Sequence, residues 1–264
     1  MDEDADDMLE DLLEHIRPTD DELSNYDRVA EELREILDGW QEDYLLDTPL
    51  SGSLAKRTAR RGADVDLFLS VSGETDLTIE GLYFDLFDFL ESKGFEPREQ
   101  NVSAGLEYEG VPVDLIPARR IPGNGDKHWL YWAGTNGVRI QTDIELHVTQ
   151  LEDIEGEDLV LLAKIWRDDH GLDCPSFLLE RAAYDSLYDE PPESLSSGFR
   201  GLMSYLGEFI EYIRVVDPGN GANCLSDELS QNKKTLLARC ARRALKAESW
   251  GNLRGRIVIP GCQE

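Results

Sequence analysis

Lysine is scarce in this chain. Seven of its 264 residues are lysine (Lys56, Lys93, Lys127, Lys164, Lys233, Lys234 and Lys246), and arginine supplies the rest of the 26 basic residues. Against them stand 55 Asp and Glu, for a formal net charge of -29. At ordinary salt such a surface repels nucleic acid. The acidic residues are dispersed along the chain, which suits a salt-rich cytoplasm where repulsion is screened, and the expectation is a halophilic host. At molar salt the Debye length is about 3 Å, so a local basic cleft would still accept a polyanion. Cysteine is also sparse. Cys174, Cys224, Cys240 and Cys262 form no CxxC pair, and no His lies at zinc-finger spacing, so buried or free thiols in a reducing compartment are expected. No apolar run approaches the roughly 18 residues of a membrane span, and the acidic N-terminus lacks the apolar core of a signal peptide. A cytoplasmic protein without a membrane partner is expected.

What is present divides the chain. Residues 1–17 are acidic and weakly periodic, and read as a tail or frayed helix. Thr19-Asp20-Asp21-Glu22 reads as a capping box. After it Leu23, Tyr26, Val29, Ala30, Leu33, Ile36, Leu37 and Trp40 make one apolar stripe on a long helix, roughly 20–41. Asp64 to Val71 reads as a strand, preceded by a segment with Lys56, Arg57, Arg60 and Arg61. A helix follows from about Leu77 to Lys93, with Gly94 as its stop. Val102 to Tyr108 and Val111 to Leu115 alternate about Glu109-Gly110, as a hairpin does. Residues 121–137 read as a loop around His128, Trp129 and Trp132. Past about residue 150 the periodicity is helical, with stripes at Leu159–Trp166, Phe177–Leu187, Phe199–Val216 and Leu229–Leu245. The fold class expected is α+β and bilobal: a mixed-sheet lobe over 18–150 with a long spine helix, and a helical lobe over 151–264.

Three carboxylates carry the chemistry. Asp64 and Asp66 are two apart in a strand, so they leave one face while Val65 and Leu67 enter the core. Asp114 sits between Val113 and Leu115 in a second strand, also opposed to an apolar face. Such an oxygen-rich set suits Mg²⁺ or Mn²⁺, and two ions about 4 Å apart serve phosphoryl transfer. Ten residues before Asp64 is Gly52-Ser53. A glycine there lets backbone approach a phosphate, and the Ser hydroxyl with adjacent N–H groups can donate to it. Lys56 follows within a turn.

Gly-Ser, a ten-residue gap, Asp-Val-Asp and a later strand Asp together resemble the DNA polymerase beta-type nucleotidyltransferase superfamily. The segments are SGSLAKRTARRGADVDLFLSV and GVPVDLIPAR. Further along, Lys164-Ile165-Trp166, His170-Gly171-Leu172 and Pro175–Glu180 are similar to the helical lobe of oligoadenylate synthetases, archaeal CCA-adding enzymes and the bacterial second-messenger synthases related to cyclic GMP-AMP synthase (CD-NTases). Asp217-Pro218-Gly219-Asn220 with Asn223 resembles a segment of the same enzymes, and is read as a turn held by local hydrogen bonds.

The resemblance implies an enzyme that takes nucleoside triphosphates. Asp64, Asp66 and Asp114 would be the catalytic and metal-binding residues. Gly52, Ser53, Lys56, Lys164 and Ser176 would meet the triphosphate, and Phe177 would lie near the nucleobase. A hydroxyl would attack the α-phosphate, eased by Asp114, with pyrophosphate leaving. The chain has only Trp250 to Glu264 after its last helical stripe, less than the extension with which CCA-adding enzymes grip tRNA. The expectation is therefore an oligonucleotide second-messenger synthase of the bacterial defence type, with RNA 3′-end transfer as the alternative. RNA as acceptor or activator, and a monomer or small oligomer, complete it.

Overall fold

The Thr19 capping box forms as its residues require. The Thr19 hydroxyl accepts the Glu22 N–H at 3.2 Å and the Glu22 carboxylate accepts the Thr19 N–H at 2.9 Å, so two otherwise orphaned donors at the start of a helix are satisfied. The computed structural model describes residues 2–135, 138–152, 154–188, 191–246, 251–252 and 257–258. It contains two compact units, residues 18–148 and residues 1–17 with 149–264. Among the described residues no helix is long and apolar enough to cross a membrane.

The first helix, α1 (Asp2–Ile16), belongs to the second of these units. The expected tail is thus corrected. Leu9, Leu12 and Leu13 are buried in the helical core, with Met8 and Ile16 packed at its edge. These residues recur at spacings of three and four, an apolar stripe that the surrounding carboxylates obscured.

In the unit formed by 18–148 the elements run α2 (Asp20–Leu37), β1 (Leu45–Asp47), α3 (Gly52–Ala55), β2 (Val65–Val71), α4 (Ile79–Ser92), β3 (Arg98–Glu99), β4 (Ala104–Tyr108), β5 (Val111–Arg120), β6 (His128–Trp132) and β7 (Val138–Thr142). The sheet order is β1-β2-β5-β4-β3, with β6 pairing both β5 and β7. β2 and β5 are parallel, and the other pairs are antiparallel. Val65, Leu67, Leu69 and Val71 of β2 pack with Val113 and Leu115 against Val29, Leu33 and Leu37 of α2 and Leu82, Leu86 and Leu90 of α4. Each such side chain contributes about 1.5–3 kcal/mol on burial. The period of two then leaves Asp66, Phe68 and Ser70 to the other face.

Two expectations shift. The spine helix ends at Leu37, and Trp40, beyond it, is 1% exposed with its indole N–H on the Asp85 carboxylate at 2.9 Å. Residues 128–132, expected in a loop, form β6, where His128, Leu130 and Tyr131 are buried. The turn before it does keep the loop chemistry, with Gly123 and Gly125 both at positive φ. Glu109 and Gly110 are also at positive φ, the geometry a two-residue hairpin turn demands.

α5 (Ile144–Glu152) contains the border between the units. The helical unit continues with α6 (Glu157–Asp169), α7 (Ser176–Leu187), α8 (Leu195–Phe209), a β8 (Val216–Asp217) and β9 (Asn220–Cys224) hairpin, α9 (Gln231–Leu245) and a short pair, β10 (Gly251–Asn252) and β11 (Ile257–Val258). Trp166, Leu178, Phe199, Leu206 and Ala241 lie in its core. The Asp217 carboxylate accepts the Gly219 N–H at 2.8 Å and the Asn223 amide at 3.4 Å, the local turn bonding expected of that segment.

Candidate active site

The approach to the site is set by backbone pairing. Phe68 N–H donates to the Pro49 carbonyl and Ser51 N–H to the Asp66 carbonyl, each at 2.9 Å, while Leu50 bridges Leu67. This lays residues 49–51 beside β2. The chain then turns at Gly52, whose φ is +60°, into the single helical turn of α3. A Cβ on Gly52 would overlap Asp66 Oδ2 and stand 2.5 Å from Asp66 Cγ. Glycine is required here for its φ and for the absence of a side chain. The Ser53 N–H is hydrogen-bonded to the Asp66 carboxylate, so this donor, expected to face a phosphate, is engaged by Asp66.

Asp66 and Asp114 are register partners on the parallel strands β2 and β5. Asp64 precedes β2 by one residue and is exposed. Burial, then the charges of Asp114 and Asp64, push the Asp66 carboxyl up to about 6, against the opposing pull of Lys56. Burial and the Asp64 charge also raise Asp114, opposed by hydrogen bonds from Gln100 and Ser103 and by the Arg98 charge. A cavity of about 380 Å³ opens beside them, lined by Asp64, Arg98, Gln100, Gly105 and Asp114 among others.

Among the described residues, no three carboxylate, imidazole or thiol side chains converge closely enough to hold a metal ion as they stand. The donor chemistry nevertheless fits a divalent cation. Asp64, Asp66 and Asp114 supply only hard oxygens, and their mutual repulsion, visible in the raised Asp66 and Asp114, is what a bound cation relieves.

The same sheet face carries a second cavity, about 620 Å³, lined by Leu46, Pro49, Phe68, Ser70, Arg120 and His128 among others. His128 Nδ1 is 2.7 Å from the Asp126 carbonyl and Nε2 is 2.7 Å from Ser70 Oγ. A carbonyl only accepts, so Nδ1 carries the proton and Ser70 donates to Nε2. Burial holds His128 below the usual imidazole range. Trp129 faces the Arg139 guanidinium, 4.5 Å from ring centroid.

The other expected contacts lie in the helical unit. Lys164 is 6% exposed and its Nζ is 3.2 Å from the equally buried Glu180 carboxylate. Lys164, expected at the triphosphate, is half of a buried ion pair between α6 and α7. Ser176, first residue of α7, accepts a hydrogen bond from Arg167 at 2.9 Å. Phe177 is partly buried against the helical core. Sequence reading missed Gln100, Arg98 and Arg167. Gln100 had one available signal, Gly105 within strand β4.

No family model and no curated protein matches the chain. Solved structures do. Escherichia coli CdnC, in a complex with HORMA-deltaN, has a TM-score of 0.78 at 20% identity, over 92% of this chain and 90% of that one. The Rhodothermus marinus CdnE c-UMP-AMP synthase, with Apcpp and Upnpp, gives 0.68 at 16% identity over 94% and 99%. A cytoplasmic RNA terminal U-transferase gives 0.64 at 16% over 98% and 96%. The chain therefore has the fold shared by these nucleotidyl-transferring enzymes.

Proposed function

We propose that the protein is a template-independent nucleotidyltransferase that joins nucleoside triphosphates with release of pyrophosphate, of the CD-NTase and oligoadenylate synthetase kind. The observation that carries this reading is the seat of Gly52 against Asp66, with Asp114 in register on the adjoining strand. A side-chain-free turn seated against Asp66 brings bare backbone beside a charge-crowded acidic site, where a phosphate chain would meet it. The likeness to a c-UMP-AMP synthase over nearly the whole chain supports the synthase reading.

Divalent cations, when bound by Asp64, Asp66 and Asp114, would neutralise the triphosphate and lower the acidity barrier of the attacking hydroxyl. The residues' own tasks follow from position. Gly52 and Ser53 border the phosphates, and Lys56, one turn on, adds a positive charge. Asp114 accepts or relays the proton of an acceptor 2′- or 3′-hydroxyl. The oxygen of that hydroxyl forms the new P–O bond at the α-phosphorus, the bond to the β-phosphate oxygen breaks, and pyrophosphate departs with the electron pair. Positioning and charge neutralisation dominate such transfers. Lys164 and Ser176 are assigned to the triphosphate by resemblance, and for Lys164 that role requires it to leave or share Glu180.

A second reading, transfer to an RNA 3′ end as in tRNA CCA addition, is favoured by the likeness to a terminal U-transferase and by Lys56, Arg57, Arg60 and Arg61 close to Gly52-Ser53. One experiment separates the two. The purified protein in high KCl with Mg²⁺ or Mn²⁺ is given four labelled ribonucleoside triphosphates, with and without RNA, beside an Asp64→Ala, Asp66→Ala control. Short linear or cyclic oligonucleotides made without RNA, and absent from the control, are expected. Growth of added RNA alone would move the assignment to the second reading, and silence in both arms would count against each.

A further inference from the structure

We infer that Gln100 is a positioning residue for Asp114, an inference that rests on the nucleotidyltransferase reading of the same site. The Gln100 side-chain amide donates to Asp114 Oδ1 at 2.7 Å. Its own carbonyl oxygen is then held by the Ser103 hydroxyl at 3.2 Å. The two residues are locked to each other by the Gln100 N–H on the Ser103 carbonyl at 3.1 Å. Beneath them lies Tyr83, fully buried on α4, whose hydroxyl contacts the Gln100 carbonyl at 3.0 Å and the Ser103 carbonyl at 3.1 Å. A surface amide would ordinarily be free to rotate, but the oxygen of this one is held by a turn that is pinned to the core and its nitrogen by Asp114.

Gly105 completes the device. It is the register partner of Asp114 across β4 and β5. A Cβ there would overlap Gln100 Nε2 and stand 3.1 Å from Asp114 Oδ1. Its backbone is not in the left-handed region, so the glycine is explained by space and not by φ. The strand gives up a side chain at the one place where the amide must pass to reach the carboxylate.

The consequence is selective. One oxygen of Asp114 is held by Gln100, so the carboxylate is oriented beside the cavity that Asp64 also lines. A carboxylate fixed in this way meets metal or acceptor hydroxyl without first losing rotational freedom.

The test uses Gln100→Ala, Gly105→Ala and the double variant in the intact protein. Each single change is expected to lower kcat about tenfold or more, the usual scale for losing an outer-shell partner, with the KM for nucleoside triphosphate little changed. The double variant should be no worse than either single one, because both remove the same contact. Multiplicative losses, or wild-type kcat in Gln100→Ala, would overturn the inference. A second readout needs no activity. In the metal-free protein the Gln100 side-chain amide resonance should move on Asp114→Asn and on Gly105→Ala. A resonance indifferent to both sinks the positioning role whatever the kinetics. An amide that responds in a wild-type protein making no nucleotide product would instead sink the parent functional reading.

Discussion

The Asp66 carboxylate occupies the space into which a side chain at position 52 would grow, so Gly52 and Asp66 fit together only because Gly52 has none. The relationship joins two residues fourteen apart in sequence, and it depends on β2 holding residues 49–51 in backbone pairing. It makes the glycine answerable for the geometry of the acid site as well as for the turn.

Gly52→Ala is therefore expected to be far more damaging than an average glycine replacement. The left-handed φ alone costs about 1–3 kcal/mol, and the overlap must displace Asp66 or α3. Misplacement of about 1 Å costs on the order of 100-fold in rate. Nucleotidyl transfer should fall at least that far, and denaturant unfolding should show the stability loss. Activity within tenfold of wild type would remove Gly52 from the site.

Asp66 gives a pH signature. Its folded carboxyl is raised to about 6 from an ordinary value of 3.8, so between these values the folded state binds a proton that the unfolded chain does not. The sign follows: metal-free stability falls as pH rises through this window, by at most about 3 kcal/mol. Asp66→Asn should be the more stable protein at pH 7.5 and should flatten the slope from this residue. Because cation and proton compete for the carboxylate, Mn²⁺ affinity should weaken by up to about tenfold per pH unit below 6. Thermal melts and Mn²⁺ titrations from pH 5 to 8 check both, and an Asn variant with the wild-type slope would refute the assignment.

What could be read before the structure was whatever is local and periodic. Asp64, Asp66 and Asp114 stood out because alternation about Val65, Leu67, Val113 and Leu115 sorts polar from apolar faces within a few residues. The capping box at Thr19 and the Glu109-Gly110 turn are likewise contained in four-residue windows. The misses have a common cause in distance along the chain. Gln100 lies fourteen residues from Asp114, and Lys164 sixteen from Glu180, so neither pairing leaves a mark in its own segment. β6 was missed because His128 is buried among residues distant in sequence, such as Ser70, fifty-eight residues earlier.

The Lys164–Glu180 pair separates packing from ligand binding. Removing one partner of a buried ion pair leaves the other charge uncompensated and costs about 3–5 kcal/mol, whereas replacing both with apolar residues is often neutral or stabilising. Lys164→Met should thus be strongly destabilised in urea, and Lys164→Met with Glu180→Leu should recover most of the loss. If Lys164 also reaches the triphosphate, the recovered double variant will fold and yet bind nucleotide poorly. Full activity in that variant would confine Lys164 to the core of the helical unit.

The N-terminal helix decides between anchor and tail. α1 carries Asp2, Glu3, Asp4, Asp6, Asp7, Glu10, Asp11 and Glu14, yet Leu9, Leu12 and Leu13 are nearly inaccessible, and the Asp6 carboxylate accepts the Ser196 N–H at 2.6 Å near the start of α8. Apolar burial holds the helix while its charges repel one another, and salt weakens the repulsion and leaves the burial intact. Leu12→Ala and Leu13→Ala should each cost about 2–5 kcal/mol, Glu10→Ala should cost almost nothing, and the wild type should gain stability between 0.1 M and 2 M KCl. A tail would show none of this: its leucines would tolerate alanine as readily as Glu10 does, and removing residues 1–17 would leave the unfolding midpoint unmoved at every salt concentration.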